Sequence, residues 1–130
     1  MVEVAMAPSQ WERVGGAPAV RAVLDRFYTD LLAEPRLAAY FADASVESIK
    51  PHLAEVLKVV LGGPGAKTDI DLATYLTRAH AQLAVSAEDY ERTGEILVGA
   101  LAAFDVEEDI VATVVNALKA VAPYVISATA

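Results

Sequence analysis

The amino-acid sequence predicts an all-α fold, and three observations carry that prediction. Apolar residues recur at helical spacing, i, i+3, i+4 and i+7, through several separate stretches. Hydrophobic residues make up 55% of the 130-residue chain and aromatics only 7%; the abundance of alanine among them favours helix over sheet. Breakers at Gly15-Gly16, Glu34-Pro35 and Gly62-Gly63-Pro64 interrupt the pattern and leave helices of ordinary length. The length suits one domain with a real core. No internal repeat, low-complexity run or linker divides residues 1–130, and the patterned part covers residues 11–123.

Ser9 is placed to cap a short helical turn, Gln10–Val14, which Gly15-Gly16 stops. Pro18 falls in the first turn of a second helix, where its missing N–H costs nothing. That helix is expected to reach Ala33, with Val20, Leu24, Phe27 and Leu31 on one face. Tyr28 lies beside this face, and on the residues alone it reads as an edge residue with its hydroxyl in water. Residues 37–41 form a short connecting helix with the aromatic pair Tyr40 and Phe41, which suits plain core or contact with a flat cofactor equally well.

Ser45 caps the next helix, residues 46–61, whose stripe is Val46, Ile49, Leu53, Val56 and Val60. Lys50 and Lys58 are expected to face outward. His52 flanks the stripe, roughly 60° from Ile49 at about 100° per residue. Pro51 removes a backbone hydrogen bond beyond the first turn and should bend the helix just before His52. A polar loop, 65–71, leads into the stretch 72–83, where Leu72, Leu76, Ala79 and Leu83 make a stripe with His80 beside it. Ser86 and Asp89 fit a variant capping box. The helix they open runs to Phe104, with Tyr90, Thr93, Leu97, Leu101 and Phe104 along it. Acids at 105–108 open the last helix at its positive end. Val111, Val114, Val115, Leu118 and Val121 form its inner face before Pro123 perturbs it.

Composition removes several function classes. The formal net charge of −8 argues against nucleic acid or an anionic membrane as partner, since both need clustered Lys and Arg. The apolar run 96–104 is too short to span a bilayer. The N-terminus lacks the basic and apolar regions of a signal peptide, so a cytoplasmic protein is expected. The absence of cysteine excludes disulfides, thiolate metal sites and cysteine nucleophiles. Glu88-Asp89 and Glu107-Glu108-Asp109 read as solvated helix starts. Phosphate-loop, dinucleotide, nucleophile-elbow and zinc-protease motifs do not occur, and two histidines alone make a poor zinc site.

The chemistry that remains is imidazole on apolar helices. His80 and His52 each stand beside an apolar stripe, Tyr28 sits on a third helix, and Phe41 lies at an aromatic corner. A neutral imidazole in an apolar pocket is the usual protein ligand of haem iron. A core histidine with a hydrogen-bonded ring satisfies the same local pattern, and spacing alone leaves both open.

Several matched pieces, in order, resolve the ambiguity. They are WERVGG at 11–16, AVRAVLDRFYTDLLAEPRLAAYF at 19–41, HLAEVLKVVLGGP at 52–64, RAHAQL at 78–83, SAEDYERTGEILVGAL at 86–101 and DIVATVVNALKAVAP at 109–123. Together the chain resembles the truncated haemoglobins, most closely their first group. The resemblance implies a two-over-two helical sandwich around haem b. It implies that His80 is the proximal iron ligand, Tyr28 the distal tyrosine facing bound ligand, and Phe41 the ring packed on the porphyrin. Ile49 and Leu53 fall at the distal positions nearest the ligand, and Leu57, Leu76, Val85, Tyr90, Leu97 and Leu118 at further positions around the haem. Lys50, Lys67 and Arg78 are the candidate cations for its propionates.

In some relatives the side chain at the place of His52 also binds the iron, so a bis-histidyl state with His80 is one expectation. Its rival is a solvated His52 near a propionate. This sequence departs from the group's pattern in three places: Leu53 replaces a common glutamine, the 64–80 connection is longer and lacks Tyr-x-Gly, and Leu83-Ala84-Val85 replaces a glycine-bearing exit. The implied function is reversible binding of O2, NO or another diatomic ligand, with an NO-detoxifying or redox role. It would be served by a reductase and carried by a monomer or weak dimer. A haem-free helical module for sensing or dimerisation is the alternative from another class.

Overall fold

The computed structural model describes residues 8–42, 44–63, 72–81 and 83–126. The predicted loop at 65–71, with Lys67 in it, lies outside the described residues, as does the C-terminal tail. Among the described residues seven α-helices follow one another: α1 (Gln10–Val14), α2 (Gly16–Leu32), α3 (Pro35–Ala38), α4 (Val46–Val60), α5 (Leu72–His80), α6 (Ala87–Ala103) and α7 (Glu108–Val125). A 3-10 turn, Ala39–Phe41, continues α3. Among the described residues there is no strand, only an isolated parallel bridge between Val85 and Ile126. The helices form a two-over-two sandwich in which α2 packs on α6 and α4, α6 on α7, and α7 also on α4 and α5.

Local chemistry sets the helix starts. Ser9 and Glu12 form a reciprocal capping box on α1, with Glu12 N–H donating to Ser9 Oγ at 3.1 Å. Gly15, at φ 113°, makes the left-handed turn into α2 that a side chain would resist. Trp11 is buried, and its N–H donates to the Leu61 carbonyl at 3.0 Å. A Cβ on Gly63 would lie 2.8 Å from Trp11 Cγ and 2.6 Å from Lys58 Cγ, so this close approach of α1 to the end of α4 requires glycine. Arg13 then ties α1 to α7 through Asp109 and Glu107, each at 2.7 Å. The acids expected to be simply solvated are therefore a docking point for α1, and the paired guanidinium holds the Asp109 carboxyl below its usual range.

Two apolar clusters result. The larger contains Val20, Val23, Leu24, Phe27, Tyr28 and Leu31 of α2 with residues of α4, α6 and α7. The smaller contains Leu76, Val85 and Val125. The predicted inward face of α2 is the observed one. Four expectations need correcting. α5 ends at His80 instead of continuing to 83, because Leu83 N–H turns back to the His80 carbonyl and Ala84 adopts φ 50°; Ala79 is consequently exposed. Phe104 is 48% exposed, since α6 stops at Ala103 and Asp105 turns the chain away at φ 54°. Lys50 does not face freely outward but is held by Asp25 at 2.9 Å and Glu47 at 2.8 Å. Asp89 is the buried polar residue among those described, not a solvated one.

Candidate functional site

The candidate residues stand on α4, α5 and α2; α2 packs on α4, and α4 meets α5 at the His52–Tyr75 ring pair. His80 is the last residue of α5 and is half-buried. Its Nδ1 lies 2.7 Å from the Leu76 carbonyl one turn back. A carbonyl only accepts, so Nδ1 carries a proton, and of the two neutral tautomers this contact selects the one with its lone pair on Nε2. That is the tautomer a metal ligand needs, with its orientation set by a backbone partner. Leu76 is buried beside Val85, the residue that the Ile126 bridge holds in place.

Across from α5, α4 presents an apolar face that the protein covers only in part. Leu57 is its one buried residue, whereas Val46, Ile49, Leu53, Val56 and Val60 are all half-buried. The helix runs unbroken through Pro51, and the His52 side chain just beyond it is exposed. The His52 ring lies beside Tyr75 of α5, with centroids 6.4 Å apart. Tyr75 was passed over in the sequence; its place three residues after Leu72, at the edge of the α5 stripe, was the available signal.

Tyr28 corrects the expectation drawn from its position alone. It is buried, 4% exposed, and lies edge-on to Phe27 at 4.9 Å and Phe41 at 6.0 Å. Burial pushes its phenol up to about 12; the charge of Lys50 opposes this and Tyr75 adds to it. Its hydroxyl has no hydrogen-bond partner among the described residues. No described side-chain N or O is both sealed from solvent and unpaired, so this hydroxyl opens on accessible space. It is a donor held in apolar surroundings with no acceptor among the described residues.

The other expected contacts divide into two sets. Leu57 and Leu97 are buried in the large cluster, and Leu118 packs against it. Tyr90 packs against the small one and donates to the Leu118 carbonyl at 2.5 Å. Arg78 is exposed on α5, and Lys50 is already engaged by two carboxylates. A bare imidazole nitrogen, a half-covered apolar face opposite it and an unmatched phenol suit a flat apolar cofactor with a metal at its centre. Among the described residues no cluster of three or more His, Cys, Asp or Glu offers a metal site of another kind.

Fold and site together define a two-over-two globin. The sequence matches the bacterial-like globin family over residues 9–126. It is 30% identical over 108 residues to the group 1 truncated haemoglobin GlbN of Synechocystis sp., covering 80% of this chain and 84% of that one. Truncated haemoglobin from Tetrahymena pyriformis superposes with a TM-score of 0.79 at 19% identity, covering 92% and 99% of the two chains. The group II truncated haemoglobin of Bacillus anthracis superposes at 0.80, with 20% identity and 95% of each chain covered. The chain belongs to the bacterial-like globins and is a truncated haemoglobin of group I. Membership brings with it haem as cofactor and small diatomic molecules such as O2 as ligands.

Proposed function

We propose that this chain holds haem b through His80 and binds O2 or NO on the side that Tyr28 faces, with a role in NO removal or redox chemistry. The observation that carries the reading is the His80 ring, whose Nδ1 is committed to the Leu76 carbonyl and whose Nε2 has no hydrogen-bond partner among the described residues. When bound, the iron supplies reversible binding of a diatomic ligand and one-electron chemistry. Phe41 and the half-buried Ile49 and Leu53 line the porphyrin and keep water from the ligand. Tyr28, protonated at neutral pH, donates to that ligand from a fixed position. Lys50 and Arg78 lie on the two helices that flank the propionates, where Lys50 would exchange a carboxylate of its own chain for one of the cofactor.

When no gas is present, His52 would hold the iron together with His80. Its ring is exposed beside Tyr75, without a hydrogen bond to hold it among the described residues, and Pro51 leaves the preceding turn one backbone bond short. Ligation by His52 must be broken before gas enters, which lowers apparent affinity by the fraction of open states. This favours NO or redox turnover, fed by a reductase, over oxygen transport. The test is a haemin titration with visible spectra of wild type, His80→Ala and His52→Ala. Wild type should take up one haem and give low-spin six-coordinate bands, His52→Ala high-spin bands, and His80→Ala should lose stoichiometric uptake. A colourless wild type would leave the haem-free helical module standing. High-spin bands unaltered by His52→Ala would place His52 in solvent near a propionate.

A further inference from the structure

We propose that Tyr40 and Asp89 are positioning residues that lock the link following His80 to the corner carrying Phe41, and so fix how the two walls of the haem site face each other. This rests on His80 holding the haem. Asp89, in the first turn of α6, is 7% exposed and divides its carboxylate between two partners from one segment. Tyr40 Oη donates to Oδ2 at 2.6 Å, and Arg36 Nε lies 2.6 Å from Oδ1 in an ion pair. Both partners belong to residues 35–41, the segment that ends in Phe41. The backbone N–H of Asp89 donates to Ser86 Oγ at 3.1 Å, so one residue anchors the cap of α6 and the corner at once. Arg92 adds a second, exposed tie from α6 to Glu34 at 2.6 Å.

The place of Tyr40 turns this network from a surface tie into part of the site. Among the described residues its ring alone packs against both apolar clusters, the large one that holds Tyr28 and the small one formed by Leu76 and Val85. Leu76 supplies the carbonyl that orients His80, and Val85 sits in the link between His80 and α6. On the other side, the neighbour of Tyr40, Phe41, lies edge-on to Tyr28. A charge-assisted bond holding the phenol of Tyr40 therefore sets the spacing of the two halves. A haem can be bound without that bond, but the imidazole then has more than one orientation available to it.

Tyr40→Phe tests this, since it removes one oxygen and keeps the ring. In ferrous His52→Ala, where His80 alone would hold the iron, the iron–histidine stretching band reports the His80 bond by resonance Raman, and Tyr40→Phe is added to that background. Tyr40→Phe should shift or broaden that band and speed haem transfer to an acceptor apoglobin roughly tenfold, as expected for one lost hydrogen bond. It should also raise amide exchange over residues 81–90 in the haem-free chain, a readout that needs no cofactor. An unmoved band with unchanged exchange overturns the proposal, even if the melting temperature falls. Failure of the underlying reading looks different: the His52→Ala parent itself would lack the iron–histidine band, or His80→Ala would keep its haem, and both proposals would go.

Discussion

Replacing Tyr28 by Phe removes one oxygen from a side chain that is 4% exposed, and it predicts effects of opposite sign in two states of the protein. In the haem-free chain the hydroxyl receives no hydrogen bond from, and gives none to, any described residue. Withdrawing a hydroxyl from water without a partner costs about 1–3 kcal/mol. The atom is not wholly sealed, so the lower end, about 1 kcal/mol, applies. The haem-free variant should therefore be as stable as wild type or about 1 kcal/mol more stable by urea unfolding. Trp11, the only tryptophan, is buried and reports the transition by fluorescence. In the haem-loaded protein, on the proposed reading, the same oxygen would donate to the ligand. Losing a bond of about 1.4 kcal/mol speeds O2 dissociation about tenfold, which stopped-flow mixing measures. Destabilisation of the haem-free variant by more than about 1 kcal/mol would mean the hydroxyl is tied within the protein. An unchanged dissociation rate would mean it faces away from the ligand. Either result refutes the reasoning.

Three further outcomes follow from the same geometry. The phenol of Tyr28 keeps its proton to about 12 in the folded chain, whereas an unfolded tyrosine releases it near 10. The folded state then binds more protons between those values, so the Tyr28 contribution is complete below pH 10, fades as pH rises towards 12, and is absent in Tyr28→Phe; alkaline unfolding curves of the two haem-free proteins check this. Gly63→Ala would put a methyl 2.8 Å from Trp11 Cγ and should cost about 1–3 kcal/mol, read by urea unfolding together with a shifted Trp11 emission. Ile49→Gln or Leu53→Gln brings a polar group to a half-buried apolar face, admits water and should speed conversion to the ferric form in air; a rate equal to wild type would show that these side chains do not shield the iron.

The parts of the fold legible in the sequence are those governed by period and local capping. Val20, Leu24, Phe27 and Leu31 are buried as their spacing demands, and Ser9, Ser45 and Ser86 each cap the helix that follows. The illegible parts depend on long-range partners. Leu83 keeps the helical rhythm of α5, yet the helix stops at His80 because the chain must place Val85 against Ile126, far along the sequence. Asp89 carries the signature of an exposed helix start, and only the fold brings Tyr40, 49 residues away, onto its carboxylate. Tyr28 was ambiguous for a related reason: whether a hydroxyl at the edge of a stripe meets water depends on Phe41, which arrives from another segment. His80 stood out by chemistry, and its tautomer became readable only once its Leu76 partner was in place.

The half-buried face of α4 ties these strands together. A helix this amphipathic normally sinks its stripe into the core, and α2 does so with six buried residues. In α4 only Leu57 is buried, and the positions on the side of His52 stay half-covered although α2 and α7 both pack on the helix. The His80 ring on α5 and the Tyr28 hydroxyl on α2 add two further groups without a partner for Nε2 or Oη among the described residues. Three shortfalls of different kinds (apolar area, a lone pair, a hydrogen-bond donor) would be independent defects in a helical bundle that functions alone. On the proposed reading a bound haem would answer all three together: the α4 stripe would pack on it, His80 would hold its iron, and Tyr28 would donate to its ligand. The sequence has therefore been shaped around a cofactor whose burial completes the core, which is why the site and the fold cannot be read separately.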